Sequence, residues 1–220
     1  MSSAMDLAPA IRNALAQRLI DALTAQCPGS RAGLRGSLAR GTADAYSDID
    51  LAWTVPDAEF DACAAGAGAC LARVREVASL RSDPDLQRSR GRRLLFVAFR
   101  DLPLFWRLDL EISAESAAGD PDHDRGNPQA RGDDWSPAAS ALANAVAAVK
   151  AVLRHQPDTA RGLLERGLRR VGAPGAVSGR WPEDVARLAR AAAGLEPEQR
   201  PLADRVVRLA DELLPRHPAG

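Results

Sequence analysis

The amino-acid sequence predicts an α+β protein: a small mixed β-sheet with flanking helices, followed by an all-helical second half. Short apolar runs bounded by turn residues occupy residues 30–115. A stretch rich in Gly, Pro, Asp and Arg follows at 116–135, and apolar residues recur at helical spacing from Ser136 onward. With 220 residues, 46% of them hydrophobic, the chain can form one large domain or two small ones.

The first half alternates predicted helices with predicted strands. Residues 6–26 form an amphipathic helix that ends at Pro28-Gly29. Its apolar stripe consists of Leu7, Ile11, Leu15, Leu19, Ile20 and Leu23. Asp57 is a candidate N-cap for a second helix over about 58–80. The four predicted strands are 32–36, 50–55, 93–99 and 104–112.

The second half is predicted to contain helices alone. Ser136 followed by Pro137 is typical of an N-cap and a first-turn proline, and an apolar stripe runs from there to Leu153. Further helices are expected at 158–171, 182–193 and 198–214. The predicted domain limits are therefore 1–115 for the α/β part, 116–135 for a linker and 136–220 for a helical domain.

A pair of acidic residues opens the second predicted strand. Ser47-Asp48-Ile49-Asp50-Leu51 leads into an apolar run, and Gly36-Ser37 forms a small turn upstream. Successive strand residues point to opposite faces, so Asp48 and Asp50 share one face. Neighbouring carboxylates repel each other unless a cation lies between them, and Mg²⁺ prefers such oxygen ligands. Paired metal ions are typical of enzymes that catalyse in-line attack on phosphorus.

The sixteen residues from Gly36 to Leu51 resemble the signature of the polymerase-β-like nucleotidyltransferase superfamily, and most of all its small bacterial aminoglycoside and lincosamide nucleotidyltransferases. The alternative is a hairpin with two solvated aspartates, which leaves the upstream Gly-Ser unexplained. The resemblance implies a nucleotidyltransferase domain with a helical C-terminal partner and an active site in the cleft between them. It also implies two Mg²⁺ ions and transfer of a nucleoside monophosphate, most simply AMP from ATP.

A third carboxylate is needed on a neighbouring strand if the site is catalytic. Arg107-Leu108-Asp109-Leu110-Glu111-Ile112 offers two, because Asp109 and Glu111 share a face when the leucines point into the core. In the family the third acid lies between hydrophobic residues, which Asp109 matches. Glu111 is the alternative as a metal ligand or a base, and a solvated strand face is the non-functional interpretation.

Several further residues are candidates for binding the nucleotide. Glycine allows the backbone to approach phosphates closely, which favours Gly36 and Ser37 for the β- and γ-phosphates. Arg40 follows soon after, and Ser47 lies within the signature itself. Lys150, the only lysine of the chain, is either a phosphate ligand or a surface residue. Arg35 and Arg107 are weaker candidates, expected to form ion pairs.

Composition argues against some partners. The 29 basic and 29 acidic residues balance, so no general attraction to long nucleic acids is expected. No apolar run reaches the roughly 20 residues that a membrane span requires. The three cysteines are scattered, which favours reduced thiols in a cytoplasmic protein. We expect a monomer or a homodimer.

The acceptor follows only from the resemblance, which favours a small hydroxylated molecule such as an aminoglycoside antibiotic. A cationic acceptor requires acidic neighbours, and the candidates are Asp57, Glu59, Asp61, Glu111 and Glu115. One alternative is a nucleotidyltransferase of a toxin–antitoxin pair that modifies a partner protein. Another is a nucleotide-binding module without catalytic activity.

Overall fold

The protein is described by a computed structural model that covers residues 7–120, 122–124 and 126–215. It has two compact units, Met1–Trp135 and Ser136–Gly220. The first unit is a mixed β-sheet with helices and the second is helical in its described part, so the predicted α+β fold class is confirmed. In the ranges described, no helix combines the length and the apolar character needed to cross a membrane.

The first unit is built on a twisted sheet that, in its described part, has five strands. They are β1 (Arg31–Leu34), β2 (Ile49–Val55), β3 (Val77–Ser82), β4 (Arg92–Phe99) and β5 (Leu108–Ala114). Their order across the sheet is β1-β2-β5-β4-β3. The central pair, β2 and β5, is parallel, and the other three pairs are antiparallel.

One face of this sheet forms the core. The α-helices in the described part of this unit are α1 (Pro9–Gln26), the short α2 (Gly36–Ala39) and α3 (Phe60–Val74). Both α1 and α3 pack against the sheet. Strand β2 alternates strictly, with Ile49, Leu51, Trp53 and Val55 inaccessible to solvent and the intervening residues half-buried. The face opposite α1 and α3 is therefore the one that carries Asp50.

The segment after α3 differs from the prediction. The helix expected to run to about residue 80 ends at Val74, and Val77–Ser82 forms the edge strand β3. Its sequence lacks clean alternation, and its pairing with β4 determines its conformation. The predicted cap is also wrong, because no side chain caps α3. The Asp57 carboxylate instead accepts hydrogen bonds from the backbone and hydroxyl of Ser116, at 3.1 and 2.9 Å.

Helix α1 buries a charged residue where the stripe predicted an apolar one. Ile11 is 46% exposed, whereas the neighbouring Arg12 is 1% exposed. Arg12 lies one helical turn before the buried Leu15, so its guanidinium points into the unit. The predicted start at residue 6 lies outside the described residues.

The fourth predicted strand is shifted towards the C-terminus. Residues 104–112 were expected to be extended, but β5 spans Leu108–Ala114. Phe105 and Trp106 before it are buried in a turn, in which the Trp106 backbone donates a hydrogen bond to the Pro103 carbonyl at 2.9 Å. The predicted strand therefore began too early, because hydrophobic residues in a buried turn have the same apolar pattern as the start of a strand.

Residues 116–135 contain neither helix nor strand in their described part, and they belong to the first unit. Backbone hydrogen bonds tie them to the segment before β4: Arg88 donates to Ala130 at 2.7 Å and Gly132 to Pro84 at 2.9 Å. The proposed division at 115 and 135 remains a prediction.

The described part of the second unit contains four α-helices, α4 (Pro137–Leu153), α5 (Pro157–Arg170), α6 (Trp181–Leu195) and α7 (Arg200–Leu213). The hydroxyl of Ser136 accepts a hydrogen bond from the Ala139 backbone at 2.9 Å, which confirms the predicted N-cap. Helix α4 packs against each of the other three.

We expect Ser30→Ala to lower the free energy of unfolding by about 1–3 kcal/mol. The buried Trp53 Nε1 donates to Ser30 Oγ at 3.0 Å, and that hydroxyl donates to the Cys27 carbonyl at 2.7 Å. The alanine variant leaves the Trp53 N–H unpaired, whereas the Cys27 carbonyl still accepts from the backbone N–H of residue 30, at 3.1 Å. Chemical denaturation of Ser30→Ala, Trp53→Phe and the double variant measures the coupling. Additive losses would show that this hydrogen bond contributes nothing.

Candidate active site

The predicted carboxylates meet on the sheet face opposite the core. In the parallel β2–β5 pair, Asp50 lies directly beside Asp109. Neighbouring strands are about 4.8 Å apart, so these two side chains emerge next to each other. Asp48 lies just before β2 and is 32% exposed, and Asp109 is 21% exposed.

The turn before α2 lies against one of these carboxylates. Gly36 has a φ of +56°, and a Cβ atom added to it would lie 2.2 Å from Asp50 Oδ2. The backbone N–H of Arg35 donates to the Asp50 carbonyl at 2.8 Å. Glycine is therefore required at position 36 both by the backbone conformation and by the close approach to Asp50. Ser37 follows as the second residue of α2 and is half-buried.

A guanidinium group lies among the three aspartates. Arg107 Nε and Nη2 donate to the two oxygens of Asp109 at 2.6 and 2.7 Å, and Nη2 lies 4.0 Å from Asp48 Oδ2. Burial by itself lowers the pKa of Arg107, but its hydrogen bonds to Asp109 and the charges of all three aspartates outweigh burial and raise that pKa. Since one guanidinium interacts with all three, the aspartates form a single cluster.

The donor set matches a hard divalent cation in chemistry, because carboxylate oxygens are the ligands that Mg²⁺ prefers. Within the described residues, however, no group of three His, Cys, Asp or Glu side chains is already arranged around a metal position. Both oxygens of Asp109 are bound by Arg107. Asp48, Asp50 and Asp109 remain the predicted ligands of such a cation.

Glu111, the alternative third acid, is already held by two arginines. It accepts from Arg92 Nη2 at 2.6 Å and forms an ion pair with Arg35. In the β2–β5 register it lies beside Ala52, one strand repeat away from Asp50. Of the two acids, Asp109 is therefore the one positioned next to Asp50.

The loop before Asp48 is held by a buried arginine. Arg12 Nη1 donates to the carbonyls of Asp44 and Ser47, the latter at 3.1 Å. Burial lowers the pKa of Arg12, and the charges of Asp44 and Asp48 oppose that shift. Ser47 is 4% exposed, and its hydroxyl donates to Asp44 Oδ1 at 2.9 Å. The described contacts of Ser47 thus hold this loop together, and its role in nucleotide binding remains a prediction.

The roles of Arg40 and Lys150 in nucleotide binding remain predictions. Arg40 is exposed at the end of α2. Lys150 is 7% exposed in the last turn of α4, in the second unit, so it is not a surface residue as the alternative interpretation had it. Arg12 and Arg92 were not predicted. The position of Arg12 beside the apolar stripe of α1 could have indicated that it is buried. No pattern in the sequence indicated the role of Arg92.

Comparison with known families accounts for the domain around this cluster. Residues 16–94 match the family model described as a nucleotidyltransferase domain. The chain therefore carries a nucleotidyltransferase domain of the polymerase-β-like superfamily. Such domains generally use a nucleoside triphosphate and a divalent metal ion. The match includes Gly36, Asp48 and Asp50 but ends before Asp109, whose place in the cluster rests on the strand register.

The chain also has distant structural neighbours. A cytoplasmic RNA terminal U-transferase aligns with 17% identity over 71% of this chain and 46% of its own, with a TM-score of 0.36. The polymerase core of TRAMP, an RNA surveillance complex, aligns with 11% identity over 95% of this chain and 59% of its own, with a TM-score of 0.39. This chain thus spans about half the length of these proteins. No curated protein sequence matches it significantly.

We expect Gly36→Ala to destabilise the protein by about 1–3 kcal/mol, since it adds a left-handed alanine and a steric clash with Asp50. Gly33→Ala is the matched control, because a Cβ atom there meets no atom within 4 Å. Its free energy of unfolding should stay within about 0.5 kcal/mol of wild type. Chemical denaturation compares the two variants. Equal losses would show that position 36 has no special requirement for glycine.

Proposed function

We propose that this chain catalyses metal-dependent transfer of a nucleoside monophosphate, most simply AMP from ATP, to a hydroxyl of a small molecule. The observation that carries the proposal is the pairing of Asp50 with Asp109 in register, with Asp48 beside them and Gly36 against Asp50. A plain solvated strand face does not require a glycine at such close range.

Each part of the cluster has a proposed role. Asp48, Asp50 and Asp109 would hold Mg²⁺, which would neutralise phosphate charge and favour attack by the hydroxyl. The backbone of Gly36 and Ser37 binds the terminal phosphates. Asp109 accepts the proton of the attacking hydroxyl, whose oxygen bonds to the α-phosphorus as pyrophosphate leaves. Positioning and charge neutralisation supply most of the acceleration in such transfers.

The acceptor class has less support. The five acids expected to attract a cationic acceptor are dispersed: Glu111 and Glu115 form ion pairs with arginines, and Asp57 binds Ser116. Asp61 lines a cavity of about 440 Å³ together with Arg93 and Leu95 of β4. Leu95 belongs to the core face, so this cavity is on the side of the sheet away from Asp50. Neutral hydroxylated molecules are therefore candidates on equal terms with aminoglycosides.

The function is tested by incubating the protein with ATP labelled at the α-phosphate, Mg²⁺ and a panel of cationic and neutral hydroxylated compounds. Transfer of label to one compound is the expected result. Labelling of a co-purifying protein would favour modification of a partner protein. ATP binding without any transfer would favour the non-catalytic module.

We expect Asp50→Asn and Asp109→Asn each to reduce transfer at least about 100-fold. Glu111→Gln should retain much more activity, because its carboxylate is bound by arginines and lies away from Asp50. Initial rates with labelled ATP provide the measurement, and circular dichroism confirms folding. If Glu111→Gln is as inactive as Asp109→Asn, the preference for Asp109 as the third acid is wrong.

We expect the protein to bind nucleoside triphosphate only with Mg²⁺. The affinity for the monophosphate should be at least about tenfold lower, since the aspartate cluster and the Gly36 turn are proposed to bind the polyphosphate. Isothermal titration calorimetry with ATP and AMP, with and without a chelator, measures this difference. Equal affinities for the two nucleotides would contradict the assigned phosphate site.

A further inference from the structure

Arg107 is a direct partner of the carboxylate cluster. Its planar group binds both oxygens of Asp109 at 2.6 and 2.7 Å and approaches Asp48 Oδ2 to 4.0 Å. Two parallel hydrogen bonds between guanidinium and carboxylate are the strongest form of such a contact. The cluster therefore has a cationic partner that belongs to the protein itself.

A neighbouring strand of the sheet also holds the Arg107 guanidinium near the aspartates. Arg107 directly precedes β5, two residues from Asp109, so both side chains leave the strand on the same face. On that face Phe96 of β4 lies beside Asp109 in register, and the Arg107 guanidinium lies 4.9 Å from the centre of its ring. A cation above an aromatic ring is attracted to it. Phe96 thus keeps Arg107 near the aspartates.

Arg107 and a divalent cation require the same atoms. Three carboxylates close together repel one another unless positive charge lies between them. In the structure Arg107 supplies that charge and uses both oxygens of Asp109. A metal ion bound by Asp109 must take at least one of them. The two cations therefore compete for one ligand.

We propose that Arg107 is a built-in counter-ion that stabilises the aspartate cluster in the metal-free protein and is displaced from Asp109 when a divalent cation binds. Removing it should tighten cation binding while weakening the metal-free fold. This inference rests on the proposed function in assigning Asp48, Asp50 and Asp109 as cation ligands. Arg107 in this role is a positioning residue, since the described contacts of its guanidinium are with the aspartates and Phe96.

The experiment measures Mn²⁺ binding to the full chain without nucleotide, using the electron paramagnetic resonance signal of free Mn²⁺. Arg107→Gln should bind Mn²⁺ about tenfold more tightly than wild type. This change in affinity corresponds to the loss of one charge-assisted hydrogen bond between Arg107 and Asp109, with which Mn²⁺ would otherwise compete. Arg81→Gln is the matched control. The Arg81 guanidinium also lies over the Phe96 ring, 5.3 Å from its centre, and it also interacts electrostatically with Asp109. Its removal should change Mn²⁺ affinity less than about threefold.

Thermal unfolding supplies a second readout that a merely structural role would not produce. Arg107→Gln should unfold at a lower temperature than wild type without metal, and Mn²⁺ should raise its midpoint by more than it raises that of wild type. A residue needed only for packing would lower the midpoint and leave the Mn²⁺ shift and affinity unchanged. If Arg107→Gln does not fold, Arg107→Lys replaces it, since lysine keeps the charge but cannot bind both oxygens in parallel. Mn²⁺ affinity equal to or weaker than wild type in the folded variant would overturn the inference.

Asp50→Asn separates this inference from the proposed function. If wild type binds Mn²⁺, Asp50→Asn does not, and Arg107→Gln binds no more tightly, the cluster is a cation site and only the counter-ion role is wrong. If wild type and Asp50→Asn bind Mn²⁺ equally or not at all, the assignment of the cluster as a cation site fails, and the counter-ion role fails with it.

Discussion

The parallel pairing of β2 with β5 is the constraint on which the rest of the site depends. Its register puts Asp50 beside Asp109, although the two residues are far apart in the chain. The same pairing buries Ile49 and Leu51 with Leu108 on the opposite face, beneath α1 and α3. A shift of one residue would turn every side chain of one strand to the other face, so the apolar core fixes where the carboxylates lie.

Charge on the polar face is balanced by pairing. Arg107 neutralises part of the aspartate cluster, while Arg35 and Arg92 hold Glu111. These pairs distinguish acids that look equivalent in sequence, because Glu111 has two cationic partners and a place beside Ala52. They also make the face less acidic than its carboxylates suggest, which reduces the support for a polycationic acceptor. The chain as a whole does not attract a cationic acceptor over a long range, since its net charge is zero.

Two separate contacts position the residues at the start of β2. Gly36 brings the backbone against Asp50, which only a residue without a side chain permits at this φ. The buried Arg12 ties the carbonyls of Asp44 and Ser47 to α1, so the loop reaches Asp48 in a defined conformation. Burying a guanidinium is costly unless its N–H groups are bound. The loop carbonyls bind Nη1 and offset part of that cost, while the buried Nε of Arg12 has no hydrogen-bond partner among the described residues. The first helix thus serves the site as well as the core.

Local pattern was enough to predict the α+β class, the apolar alternation of β2, the N-cap at Ser136 and the signature from Gly36 to Leu51, because each depends on residues close together in the chain. It failed for β3, whose strand conformation depends on pairing with β4, and for Ile11 and Arg12, whose exposure depends on what faces α1. The choice between Asp109 and Glu111 was open in the sequence, since alternation places both on one face. Only the register with β2 and the arginines on Glu111 distinguish them, and those contacts join residues that no local pattern connects.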